Sequence, residues 1–205
     1  MNTLAQSFLT PSYLFEKVTH GPWITVGCNL QYRLDFHEGS QALIISFQST
    51  KTMDDWAFDA LALPTLFRKR HLGLYLQYWS ARGKLLKYIL PALERFRPSR
   101  IELVGYSAGA THVTNFAWDL AKKTSLPIAL TLFGAPRYYK TRKRVCEEFF
   151  GQARDIYVSF DPVHSLPLLW KQIGYPIKLP SQGEMFATLN HTPYAYREGL
   201  RKNAF

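Results

Sequence analysis

The spacing of apolar residues changes period several times along the chain, and each change marks an element. "WITVGCNLQYRLDF" alternates well enough to predict a strand, and "QALIISFQ" predicts a shorter, more fully apolar one. Glu38, Gly39 and Ser40 lie between these two and read as a hairpin turn. From about Gly73 to Phe96, Leu74, Tyr75, Tyr78, Trp79, Leu85, Leu86, Ile89 and Leu93 recur at helical spacing, with Pro91 expected to kink or end the helix. "RIELVGYS" then predicts a strand entering a Gly-flanked turn, followed by a helix from about Ala108 to Lys122. "PIALTLFGAPR" reads as another buried strand, "KTRKRVCEEFFG" as a helix and "ARDIYVSF" as a further strand. Scattered apolar positions at residues 3–18 predict a short helix at the start. Strands alternating with helices imply βαβ units and a mainly parallel sheet, so the fold class is α/β. No repeat, low-complexity tract or Gly/Ser linker interrupts the pattern, which predicts a single domain over residues 1–205.

Composition agrees with a folded chain of 205 residues: 47% are hydrophobic and 15% aromatic, enough to build a substantial core. The formal net charge of +10 favours anionic partners, either nucleic acid or an acidic membrane surface, unless the cations are simply spread over a solvated surface. No nucleic-acid motif accompanies that charge, so a nucleic-acid role is disfavoured. The two cysteines, Cys28 and Cys146, have no metal-ligand spacing and read as reduced thiols. The start "MNTLAQSFLTPSYLF" has no basic-then-apolar signal pattern, and no apolar run reaches the roughly 18 residues of a membrane span. The expectation is a cytoplasmic protein, at most peripheral to a membrane.

Candidate chemistry centres on "GYSAG" at 105–109. A serine between two glycines, after a strand and before a helix, suits a nucleophile elbow, where backbone crowding demands small residues and the helix start offers free N–H groups to an oxyanion. The same small residues would also suit a turn that packs a helix closely on a sheet. A serine hydroxyl needs a base, and the base an orienting carboxylate. Downstream lie His112, His164 and His191. His112 falls in the helix that Ser107 starts and reads as a helix-surface residue. His164 follows Asp161 too closely for one loop to present both groups to each other and to Ser107. His191, near the C-terminus, is the better base. Asp155 precedes a strand and Asp161 follows it; the carboxyl end of the strand is the side of the elbow, so Asp161 is preferred.

These residues carry a family resemblance. From Ala42 to Tyr196 the chain resembles the class 3 lipases, the fungal-type triacylglycerol lipases of the α/β-hydrolase superfamily, in six blocks in the same order: "SFQSTKTMDDWAFDALALP", "HLGLYLQYW", "RIELVGYSAGA", "LTLFGAPR", "VSFDPVHSLP" and "HTPYAY". The resemblance implies an α/β-hydrolase fold, a central mainly parallel sheet flanked by helices, with a short helical lid at about 51–64. It implies Ser107 as nucleophile, Asp161 as acid and His191 as base, with Thr50 and the N–H of Ala108 forming the oxyanion hole. Trp56, Phe58 and Leu61 would cover the site as part of the lid, with Tyr106 beside the substrate. The chain departs from the family pattern at Tyr106, Gln48 and Ala110, where the relatives carry His, Arg and Gly; loss of polar support to the elbow is expected at the first two.

The implied activity is hydrolysis of carboxylic esters of lipids, a lipase or esterase working through an acyl-enzyme without metal or cofactor. The basic runs "RYYKTRKR" and "FRKRH" raise two alternatives. One is a phospholipase acting on anionic phospholipid. The other is a non-catalytic, basic membrane-binding module that keeps the hydrolase fold. The partner in the first two cases is an acyl-ester substrate, with peripheral contact to an anionic membrane; the sequence does not give an oligomeric state.

Overall fold

The computed structural model describes residues 9–48, 72–137, 153–165, 173–181 and 187–203. Within them a seven-stranded sheet forms the middle layer, its strands in chain order across the sheet. Strands β1 (Ile24–Val26), β2 (Leu30–His37) and β3 (Ala42–Phe47) pair antiparallel. From β3 onward the pairing is parallel, through β4 (Arg100–Tyr106), β5 (Ile128–Phe133), β6 (Ala153–Val158) and β7 (Tyr175–Leu179). Helices α2 (Leu72–Phe96) and α3 (Ala108–Leu120) cover one face, and α1 (Pro11–Thr19) and α5 (Pro193–Lys202) the other, while α4 (Pro162–Ser165) is a single turn after β6. This is an α/β-hydrolase arrangement.

Strand alternation sorts the core into two clusters. On β4, Ile101 and Leu103 pack with Leu43, Ile45, Phe47 and the inward residues of α2 and α3. Val104 and Tyr106 point the other way, into a cluster with Phe15, Phe133, Tyr196 and Leu200. Residues 42–47 are all buried, because helices cover both faces, and that is why the run is apolar throughout. On α2 the buried apolar positions described are Leu74, Tyr78, Ala81, Leu85 and Ile89, one stripe at steps of three and four, with Gln77 buried beside them. Asp119 of α3 accepts from the Tyr78 hydroxyl at 2.6 Å and from Arg82 at 2.6 and 3.1 Å, clamping the two helices together.

Two elements differ from the pattern reading, and of the two outcomes expected at Pro91 the helix end does not occur. "WITVGCNLQYRLDF" is two strands, split by a turn at Gly27–Asn29 in which Asn29 takes φ 56°, a left-handed conformation Asn tolerates. Helix α2 continues through Pro91 to Phe96. Pro91 and Lys87, the residue whose carbonyl the missing N–H would have met, are both exposed, so solvent can serve that carbonyl. Strand β7 lies where the pattern predicts nothing; Pro176 is admissible there because β7 is the last strand of the sheet and pairs only with β6. The helix expected over 140–151, the lid at 51–64, the two basic runs apart from Arg137, and Cys146 lie outside the described residues. Among the described residues no helix is long and apolar enough to cross a membrane.

Register places the site. Gly105 of β4 pairs with Phe47 of β3 and Leu132 of β5, so β3, β4 and β5 end at one level. The carboxyl ends of β3, β4 and β5 thus lie along one edge of the sheet, where Ser107 leaves β4.

Candidate active site

Ser107 stands between β4 and α3 with φ 56° and ψ −126°. A non-glycine residue held there costs on the order of 1–3 kcal/mol, so neighbouring contacts must hold it. Its N–H donates to the Phe133 carbonyl at 2.8 Å, and its own carbonyl accepts from Ala110 N–H at 3.0 Å. The flanking glycines have a direct steric reason. A Cβ on Gly105 would sit 2.5 Å from the Gly109 backbone, and one on Gly109 would collide with the Phe47 carbonyl oxygen. Strand and helix approach too closely at the elbow for any side chain at either position.

His191, the candidate base, arrives from the far end of the chain. His191 closes a 3₁₀ turn, Ala187–His191, and Thr192 caps α5 by accepting from Ala195 N–H at 3.3 Å, with Pro193 in the first turn. His191 Nε2 lies 2.8 Å from Ser107 Oγ, and Nδ1 lies 2.8 Å from Asp161 Oδ2. An ionised carboxylate only accepts, so Nδ1 carries the proton and donates. Nε2 of the neutral ring is then the acceptor for the serine hydroxyl. Asp161 is 2% exposed. Its Oδ1 accepts from the N–H of Val163 at 2.8 Å and of His164 at 3.3 Å, and its Oδ2 also accepts from the Tyr196 hydroxyl. Burial first, then the charge of Asp161, pushes the pKa of Tyr196 well up, which keeps that hydroxyl a donor.

Ala108 is the first residue of α3, where the N–H has no partner within the helix, and Ser107 makes no side-chain cap there. Thr50, Trp56, Phe58 and Leu61 lie outside the described residues. Tyr106 is 6% exposed; it stacks on His191 and donates its hydroxyl to the His191 carbonyl. Tyr106 thus makes a polar contact of its own, to the main chain of His191. His112 is not a surface residue but 3% exposed, with Nε2 3.0 Å from Gln77 Oε1. His164 pairs through Nε2 with Asp155 Oδ2 at 2.9 Å and stacks on Tyr157 at 3.8 Å. Asp155 itself lies within β6 rather than before it, fully buried, and burial pushes its carboxyl up against the lowering effect of His164.

Reading the sequence for reactive groups alone passes over Gly134. It has φ +55°, and a Cβ there would lie 2.6 Å from the Tyr196 hydroxyl oxygen and 3.0 Å from the His191 ring. The "FG" at the end of an apolar strand was its only local signal. Phe160, Leu189 and Tyr194, which flank the acid and the base, are 78%, 43% and 63% exposed. Among the described residues no group of three or more His, Cys, Asp or Glu side chains is placed to share a metal ion.

No family model matches the sequence, and no curated protein sequence matches it. Solved structures do match. The Rhizomucor miehei triacylglyceride lipase superposes with a TM-score of 0.65 at 17% identity, covering 77% of this chain and 65% of that one. The chain has the fold of the fungal lipases. The mono- and diacylglycerol lipase from Aspergillus oryzae gives 0.62 at 21% identity, covering 80% of this chain and 65% of its own. Another solved structure, of a triacylglycerol lipase whose catalytic centre is described as a serine protease triad, gives 0.65 at 16% identity over 77% and 65%. The chain thus spans just under two thirds of the length of each of these lipases.

Proposed function

We propose that this protein is a serine hydrolase that cleaves carboxylic esters of lipids. The observation that carries the reading is the continuous contact from Ser107 Oγ through both nitrogens of His191 to Asp161, each step 2.8 Å, at a strained elbow. Ser107 attacks the ester carbonyl as His191 takes its proton, and Asp161 stabilises the imidazolium in the correct orientation. The oxyanion falls to the Ala108 N–H and, from the family resemblance, to Thr50. His191 then returns the proton to the leaving alcohol, and water releases the acyl group by the reverse sequence. The exposed apolar side chains beside the acid and the base, and the lipid esters named for the structurally similar lipases, support an acyl-lipid substrate.

The test is a panel of short-chain nitrophenyl esters, triacylglycerol emulsion and phospholipid vesicles, with Ser107→Ala as control and a fluorophosphonate probe for labelling. Ser107→Ala should lose on the order of a thousandfold or more in kcat, and the unmutated chain should label at Ser107. Full activity in Ser107→Ala would overturn the mechanism, and absence of labelling would favour a non-catalytic module. The net charge of +10 favours anionic phospholipid within the panel. That preference requires vesicle binding that weakens as salt rises.

A further inference from the structure

We propose that Tyr106 is a positioning residue for the base, pinning the main chain of His191 through its hydroxyl and setting the plane of the imidazole with its ring. Tyr106 ends β4 and precedes Ser107 directly, so it belongs to the strand that carries the nucleophile. Its ring lies against the His191 ring with centroids 5.2 Å apart and planes 22° apart, and its hydroxyl donates to the His191 carbonyl. Other aromatic rings fix the Tyr106 ring in turn. Phe15 meets it edge-on at 5.8 Å and 82°, and Tyr196 at 5.4 Å and 68°. A side chain with two torsions, held at the ring and at the tip, has no other rotamer to occupy.

His191 needs such a partner. It closes a short 3₁₀ turn, and both ring nitrogens must stay within hydrogen-bond reach of groups on two other segments. Rotation of the imidazole out of plane would break one bond or the other. Once His191 takes the serine proton it is a cation, and the face of an aromatic ring attracts a cation at this range. Burial first, and then the charge of Asp161, pushes the pKa of the Tyr106 hydroxyl well up, so it remains the donor to the His191 carbonyl.

The consequence for turnover rests on the hydrolase reading, whereas the positioning itself does not, and the test separates them. Tyr106→Phe keeps the ring and loses the hydroxyl; Tyr106→Leu loses both. Active sites are counted by fluorophosphonate titration, so misfolded chains drop out of the comparison. With p-nitrophenyl butyrate, kcat per titrated site should fall about fivefold in Tyr106→Phe and about fiftyfold in Tyr106→Leu, with KM within about twofold of the unmutated chain. A purely structural role would lower the titrated fraction and leave kcat per site unchanged. In ¹⁵N-histidine-labelled protein, the Nδ1–H proton of His191 should give a sharp downfield signal, retained in Tyr106→Phe and broadened in Tyr106→Leu. That signal needs no turnover. If it behaves so in a chain that neither labels nor hydrolyses, the hydrolase reading fails and the positioning role stands. An unchanged signal in Tyr106→Leu, or equal kcat per site in both variants, overturns the proposal.

Discussion

Ser107 occupies a helix N-cap position, where a serine hydroxyl ordinarily turns back to bond the first backbone N–H groups. Here it makes no such bond and faces His191 instead. The helix start is thereby left to other acceptors, and the hydroxyl is left to a base. Asp161 is more heavily committed, accepting from His191, Tyr196, Val163 and His164 while buried. Asp161→Asn should therefore keep the fold but disturb the tautomer of His191. We expect kcat for a short-chain ester to fall on the order of a thousandfold or more with a much smaller change in KM, measured by steady-state kinetics. Chain order, placement at strand ends and the family resemblance singled out Ser107, Asp161 and His191 as candidates. The placing of Tyr106 was not legible in the same way, because a tyrosine after an apolar strand is ordinary core by pattern; only the return of the C-terminal segment puts His191 on its face.

At the scale of elements, the elbow depends on how closely α3 approaches the ends of β3 and β4. "GYSAG" advertises that approach in one dimension, but the atom that forbids a side chain at Gly109 belongs to Phe47, far away in sequence. Gly109→Ala should cost about 1–3 kcal/mol in stability through overpacking and should slow labelling at Ser107 by displacing the helix start. Thermal unfolding and probe kinetics check both, and unchanged values in each would show that the elbow can relax. Most strands of the parallel half were visible as largely apolar runs, because helices cover both faces of the sheet, and α2 was visible from its one apolar stripe. The split at Gly27–Asn29 and the strand at β7 were not. In the first, a two-strand hairpin and one long strand share the same alternation; in the second, Pro176 hides an edge strand whose partner exists only in the folded sheet.

Across the whole molecule, the sheet separates two cores, and one of them carries buried charge. Glu102 is fully buried on β4, paired with Arg100 at 3.1 Å, while Arg154 of β6 bonds Thr131 and the Leu9 carbonyl nearby, tying the start of the chain to the sheet. Burial raises the Glu102 carboxyl above its ordinary value of 4.5, over the lowering influence of Arg100 and Arg154. The folded chain then holds this proton more tightly than the unfolded one. The resulting stability is fully present below the unfolded value and is lost as pH rises through the folded one. The stability of the unmutated chain relative to Glu102→Gln should thus decline as pH rises above the ordinary carboxylate value of 4.5, as followed by urea unfolding; a difference that grows with pH would contradict it. By itself the sequence determined the α/β class and the glycine-flanked turn and offered Ser107, Asp161 and His191 as candidates, since these follow from local periodicity and from residue types set along one chain. The tertiary structure decided that His191 lies 2.8 Å from Asp161, that Tyr106 lies against the His191 ring, and which atoms exclude a side chain at Gly105, Gly109 and Gly134. Those are distances between segments remote in sequence, and only packing of the sheet against its helices brings them to a few ångströms.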